Sequence, residues 1–110
     1  AVDALHFDRS HSRASDLAAL PRTWFRYVQI CDAPGVWSSD RASLVHAAVS
    51  ERLFPGEGAI DLVGLLRALP RGVPIALEIP TAVLARTAPA AERLRHAVAA
   101  TRKVLVDAYG

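Results

Sequence analysis

Short apolar runs of strand length alternate along this chain with longer stretches whose apolar residues recur at helical spacing. Val2–Phe7 (VDALHF) is the first strand-like run, and it closes on Asp8, Arg9 and Ser10. Ser15 and Asp16 offer an N-cap for a helix over Leu17–Leu20, which Pro21 stops. Trp24–Cys31 (WFRYVQIC) has the aromatic and β-branched residues of a strand, and Asp32–Gly35 reads as a loop. A helix is predicted over Arg41–Leu53, capped from Ser38–Asp40 and broken by Pro55-Gly56-Glu57-Gly58. Leu62, Leu65, Leu66 and Leu69 share one face of a further helix over Ile60–Leu69. Val73–Ile79 (VPIALEI) is a third strand closed by Pro80, and Pro89–Tyr109 is a long terminal helix with Pro89 at its first turn.

The predicted order is β-α-β-α-α-β-α. Strands separated by helices of this length pair in parallel through crossover connections, so the expected class is α/β. Three strands make either a minimal α/β domain or one arc of a larger sheet. The 110 residues amount to about one domain. At this length only about 60–65% of the unfolded chain's surface is buried.

Composition narrows the classes. Apolar residues make up 52% of the chain and charged residues 22%, a globular balance. One cysteine, Cys31, excludes an internal disulfide framework and suggests a reducing, cytoplasmic setting. The 13 basic residues face 11 acidic ones and lie scattered, without the clustering and interleaved aromatics of a nucleic-acid surface. No apolar run approaches the roughly 18 residues of a membrane span. The first residues lack the features of a signal peptide and there is no methionine, which suggests a chain that starts part-way through a longer protein. The expected partner is a small molecule, with neither nucleic acid nor membrane.

Candidate chemistry comes from polar residues on otherwise apolar strands. Asp3 and His6 fall on the first predicted strand, Gln29 near the carboxyl end of the second and Glu78 near the carboxyl end of the third. A buried carboxylate without a partner costs several kcal/mol, so its presence on a strand asks for a reason. Oxygen donors at one edge of three parallel strands are the arrangement of an α/β site.

The segments VDALHFDRS, YVQICDAPG, ERLFPGEGAIDLVGLLRALP and VPIALEIP resemble the last three βα units of the xylose-isomerase-like TIM barrels. That superfamily includes sugar and sugar-phosphate isomerases and epimerases and 3-dehydroshikimate dehydratases. The resemblance implies that residues 1–110 form a single partial domain, the carboxyl-terminal arc of a (β/α)8 barrel. It implies a divalent metal at the barrel mouth, with Asp3, Gln29 and Glu78 as ligands and Glu78 also as a base. His6, the histidine of Asp-x-x-His, is implied to contact substrate.

Two departures matter. Epimerases of the superfamily usually carry His where this chain has Gln29, and Gln is similar to the dehydratase branch. The first five βα units, with a further ligand Glu, have no counterpart here. The resemblance thus implies an isomerase or epimerase working beside a carbonyl, with a dehydratase-like lyase or a non-catalytic piece docking on another chain as alternatives. The 110 residues alone are expected to be inactive and to need the rest of a barrel or an oligomer partner. An all-oxygen donor set suits Mn²⁺ or Mg²⁺. Arg9 and Arg52 are candidates for an anionic substrate group, and Pro55–Gly58 for a mobile mouth loop. Cys31 is expected to be a buried structural thiol, and His46 and His96 surface residues.

Overall fold

The computed structural model describes all 110 residues. Three parallel strands lie in the order β1 (Val2–Asp3), β2 (Val28–Ile30), β3 (Ile75–Leu77). Helices α1 (Ala4–Arg9) and α2 (Ala14–Ala18) connect the first pair. Helices α3 (Arg41–Val49) and α4 (Leu62–Ala68) connect the second, and α5 (Ala90–Tyr109) ends the chain.

The strands are shorter than the sequence pattern predicts, and the first differs in kind. Only Val2 and Asp3 are extended; His6, expected on a strand, stands in the first turn of α1. The cause is the Asp3 side chain. With extended backbone it accepts the His6 N–H and so caps the helix three residues before a strand of typical length would end. The helix predicted over Arg41–Leu53 also stops early, at Val49, because Glu51 and Leu53 leave it to bridge Thr81 and Asp32.

Side chains alternate across a strand, so the in-register pairing assigns them to two faces. Val28 pairs with Val2 and Ile75, and Ile30 with Leu77. Val28 and Ile30 are wholly buried in a core shared with Leu62, Leu65 and Leu66 of α4 and Val104 and Ala108 of α5. Leu77 packs beside Phe54, Ala97 and Ala100. Helix α5 presents Ala97, Ala100, Thr101, Val104 and Ala108 to this core, the spacing of one helical stripe. Its last carbonyls are held from α4: Arg67 donates to the carbonyl oxygens of Asp107 and Ala108, each at 3.0 Å, and Tyr109 Oη donates to that of Leu66 at 2.9 Å. This layer fixes the strands from behind. The other face carries the row Asp3, Gln29, Ala76 and, just beyond β3, Glu78.

Candidate functional site

Three of the expected site residues share that second face. Asp3 ends β1, Gln29 is its in-register neighbour on β2, and Gln29 Nε2 donates to Glu78 Oε2 at 3.2 Å. Glu78 is held at this edge by its own N–H, which donates to the Ile30 carbonyl at 3.1 Å. Glu78 is exposed and Gln29 half-buried, so both are open to a ligand.

Arg52 ties the group together. Its side chain is 5% exposed; Nη1 donates to Asp3 Oδ2 at 2.8 Å, to the Glu78 carbonyl at 3.4 Å and to Cys31 Sγ at 3.7 Å, while Nε donates to the Ala48 carbonyl at 3.0 Å. One guanidinium thus joins all three strand ends to α3. Burial disfavours its charge, but the hydrogen bond and charge of Asp3 outweigh that and hold Arg52 protonated above its ordinary range. Burial likewise pushes the Cys31 thiol up to about 11, against the pull of Arg52, as suits a structural thiol.

The two arginines expected to hold a substrate anion are both already paired. Arg52 belongs to Asp3. Arg9 pairs with Asp8, donates to the Pro34 carbonyl at 3.0 Å and lies over the Trp37 ring, with its Nε buried and unpartnered. His6 remains exposed, with no hydrogen bond to its ring.

Asp32, passed over in the sequence as part of a loop, organises the neighbouring mouth segment. It is 1% exposed, and its carboxylate accepts the N–H groups of Ala33 at 2.9 Å, Gly56 at 2.9 Å and Ile60 at 3.0 Å. The Pro55–Gly58 turn, a candidate for a mobile mouth loop, is tied to the end of β2. Gly58 fits only because it has no side chain: a Cβ there would lie 2.4 Å from Asp32 Oδ1 and from the Ala33 carbonyl. On the outer side, Glu57 Oε1 meets His96 Nε2 at 2.6 Å, and the His96 ring stacks on Phe54. His96 is a surface residue with a partner. The signal for Asp32 was present in the sequence, an acid immediately after the apolar pair Ile30-Cys31.

The donors at this edge suit a hard cation. Asp3, Gln29 and Glu78 offer only oxygens, and the Gln29 amide nitrogen turns toward Glu78, leaving its carbonyl oxygen unengaged. The acidic residues alone do not complete such a site, since no three His, Cys, Asp or Glu side chains converge.

Solved structures share this architecture. A crystal structure of an IOLI protein with a bound zinc atom superposes with a TM-score of 0.78 at 20% identity, over 99% of this chain and 38% of that one. A xylose isomerase domain protein from Alicyclobacillus acidocaldarius matches with a TM-score of 0.69 at 28% identity, over 99% of this chain and 37% of that one. The fold is an arc of a xylose-isomerase-like TIM barrel. A third relative is a fusion of a xylose isomerase-like TIM barrel with a 4-hydroxyphenylpyruvate dioxygenase, with a TM-score of 0.61 and 28% identity over 73% of this chain and 13% of that one. The chain thus spans little more than a third of the length of the first two. No protein-family model matches the sequence, and no curated protein matches it. No helix is long and apolar enough to cross a membrane.

Proposed function

We propose that residues 1–110 supply the carboxyl-terminal arc of a divalent-metal-dependent sugar or sugar-phosphate isomerase or epimerase that works by proton abstraction beside a carbonyl. The observation that carries this reading is the row of Asp3, Gln29 and Glu78 on one face of the sheet, with Asp3 in register with Gln29 and Gln29 bonded to Glu78. Asp3, Gln29 and Glu78 would hold the metal through oxygen, which favours Mn²⁺ or Mg²⁺, although the IOLI relative carries zinc. When bound, such an ion polarises a substrate carbonyl or hydroxyl and makes the adjacent C–H more acidic.

The chain's own residues do the rest. Glu78 takes the proton from carbon and returns it, and its exposed position at the sheet edge gives it access to substrate. His6, on the first turn of α1 and free at its ring, donates a hydrogen bond to a substrate oxygen. Arg52 fixes Asp3 in place. Gln29 favours a second outcome of the same proton removal, loss of a β-hydroxyl in a dehydratase-like lyase.

The test uses the full-length protein that carries these residues, with Mn²⁺ or Mg²⁺ and a panel of hydroxyketones. Deuterium from solvent is expected to enter the carbon beside the carbonyl, and Glu78→Gln is expected to stop it with little change in melting temperature. Release of water with formation of a conjugated alkene would assign the lyase. Undiminished exchange in Glu78→Gln would remove Glu78 as the base.

A further inference from the structure

Helix α3 is the one helix of more than seven residues that buries none of them. Leu44, Ala47 and Ala48 are half-buried on its inner side, whereas Arg41, Ala42, Val45, His46 and Val49 recur at helical spacing on the outer side and are exposed. Val45 is 50% and Val49 67% exposed. A groove of about 700 Å³ runs along this outer side, and all its lining residues belong to α3 and its cap Ser50. The groove therefore has one wall and no opposite one. Strands that continue the sheet add at the edges β1 and β3, whereas α3 sits in the connection between β2 and β3. The turn after β3 extends the exposed apolar surface with Val83, whose N–H donates to Glu51 Oε1 at 2.7 Å.

The charges at the two ends of α3 are opposite and unpaired. Arg41 opens the helix and Glu51 lies just beyond its end, and neither takes part in an ion pair within the chain. They are separated by about 15 Å along the helix direction. A two-fold axis through His46 would lay a second α3 antiparallel on the first and set each Arg41 opposite the second copy's Glu51. In the same register each Val45 falls between the second copy's Val45 and Val49, and each Val49 between its Val45 and Ala42. One surface thus complements itself in both charge and apolar contact, as an isologous interface requires.

We propose that the outer face of α3 is a docking surface for a second copy of this protein, joined as an antiparallel helix pair. A helix of nine residues is about 14 Å long, so the seam is well short of the roughly 800 Å² per partner of a standard interface. The dimer is accordingly weak, with a dissociation constant of about 10–500 μM.

The experiment is sedimentation velocity on the full-length protein over about 5–1000 μM, with circular dichroism confirming that each variant is folded. Concentration-dependent dimerisation is expected. Val45→Asp, at an exposed position outside the core, is expected to weaken it by at least about tenfold. Arg41→Glu alone sets acid against acid at both ends of the seam, and Glu51→Arg alone sets base against base. Each is expected to weaken self-association by about tenfold. An equimolar mixture of the two variants restores both opposite-charge contacts and is expected to dimerise within about threefold of the natural protein. Glu51→Lys takes the place of Glu51→Arg if the latter does not fold. A natural protein that stays monomeric throughout overturns the proposal. So does a dimer that Val45→Asp leaves unchanged, or one that charge reversal weakens and the mixture does not restore.

Discussion

Replacing Asp32 tests how the mouth of this arc is built. Its carboxylate holds three backbone N–H groups within 3.0 Å, one from its own neighbour and two from the segment that carries Gly56 and Ile60. Asp32→Ala leaves those donors without an acceptor. The Ile60 N–H is buried and that of Gly56 partly so. An orphaned buried donor costs about 1–3 kcal/mol. With the Gly56 N–H able to reach some water, the two loop donors together come to about 2–5 kcal/mol, a large part of the 5–15 kcal/mol typical of a domain. Asp32→Asn keeps one acceptor oxygen but turns an NH₂ toward a donor, so about half that loss is expected.

The assay is urea unfolding of the full-length protein together with hydrogen exchange at Gly56 and Ile60. Asp61 is the control. It caps α4 through the Gly64 N–H at 2.8 Å in an exposed setting, and its removal should cost about 1 kcal/mol. Asp32→Ala is expected to lower stability several-fold more than Asp61→Ala and to accelerate exchange at both loop amides. Equal losses in the two variants, or unchanged exchange at Gly56 and Ile60, would refute the reasoning.

Other outcomes follow from the same contacts. Arg52→Ala leaves Asp3, only 10% exposed, without its partner and should cost about 3–5 kcal/mol by urea midpoint, where a surface pair would cost under about 1 kcal/mol. The Cys31 thiol, held up at about 11 against an ordinary 9.0, keeps its proton in the folded chain to higher pH than in the unfolded one. Its contribution is full below pH 9 and is lost as pH rises through about 11, so melting temperature should fall more steeply over that window in the natural protein than in Cys31→Ala. The isolated residues 1–110 have two sheet edges, at β1 and β3, and an open polar face, so they are expected to self-associate or melt without cooperativity; a sharp monomeric transition by ultracentrifugation and melting would contradict this.

The helical layer was legible because periodicity is a local signal. Leu62, Leu65, Leu66 and Leu69 announce α4 and are all buried, the first three within it and Leu69 at its carboxyl-terminal cap. The three-strand parallel order was legible from the alternation of runs. The boundary between β1 and α1 was not, because VDALHF is apolar enough for a strand and one side-chain hydrogen bond from Asp3 decides otherwise. Gln29 and Glu78 stood out as polar residues on apolar strands and do meet. The roles of the charged residues were hidden for a different reason. Arg52 and Asp3 are 49 positions apart, and Asp32 reaches 28 positions to Ile60, so only the fold reveals that these groups neutralise or cap one another. Two arginines read as free cations were therefore already paired.

That pairing also separates the three acids at the strand ends. Asp32 is committed to three backbone donors, and Asp3 to the cap of α1 through Oδ1 and to Arg52 through Oδ2. Protonating either would dismantle a contact that holds the fold. Glu78 accepts only from the neutral Gln29 amide, is exposed, and caps nothing. Among the three, it is the one carboxylate that holds neither a backbone donor nor a cation, which suits the proposed role of base on carbon. Replacement by the isosteric amide should therefore sort them. Glu78→Gln is expected to change stability by less than about 0.5 kcal/mol, the range of an ordinary surface substitution, whereas Asp3→Asn removes the charge opposite buried Arg52 and should cost several times more. Thermal melts of the two variants side by side measure the difference. A Glu78→Gln loss as large as that of Asp3→Asn would mean that Glu78, too, is a structural acid, and that the site has no carboxylate free for proton transfer.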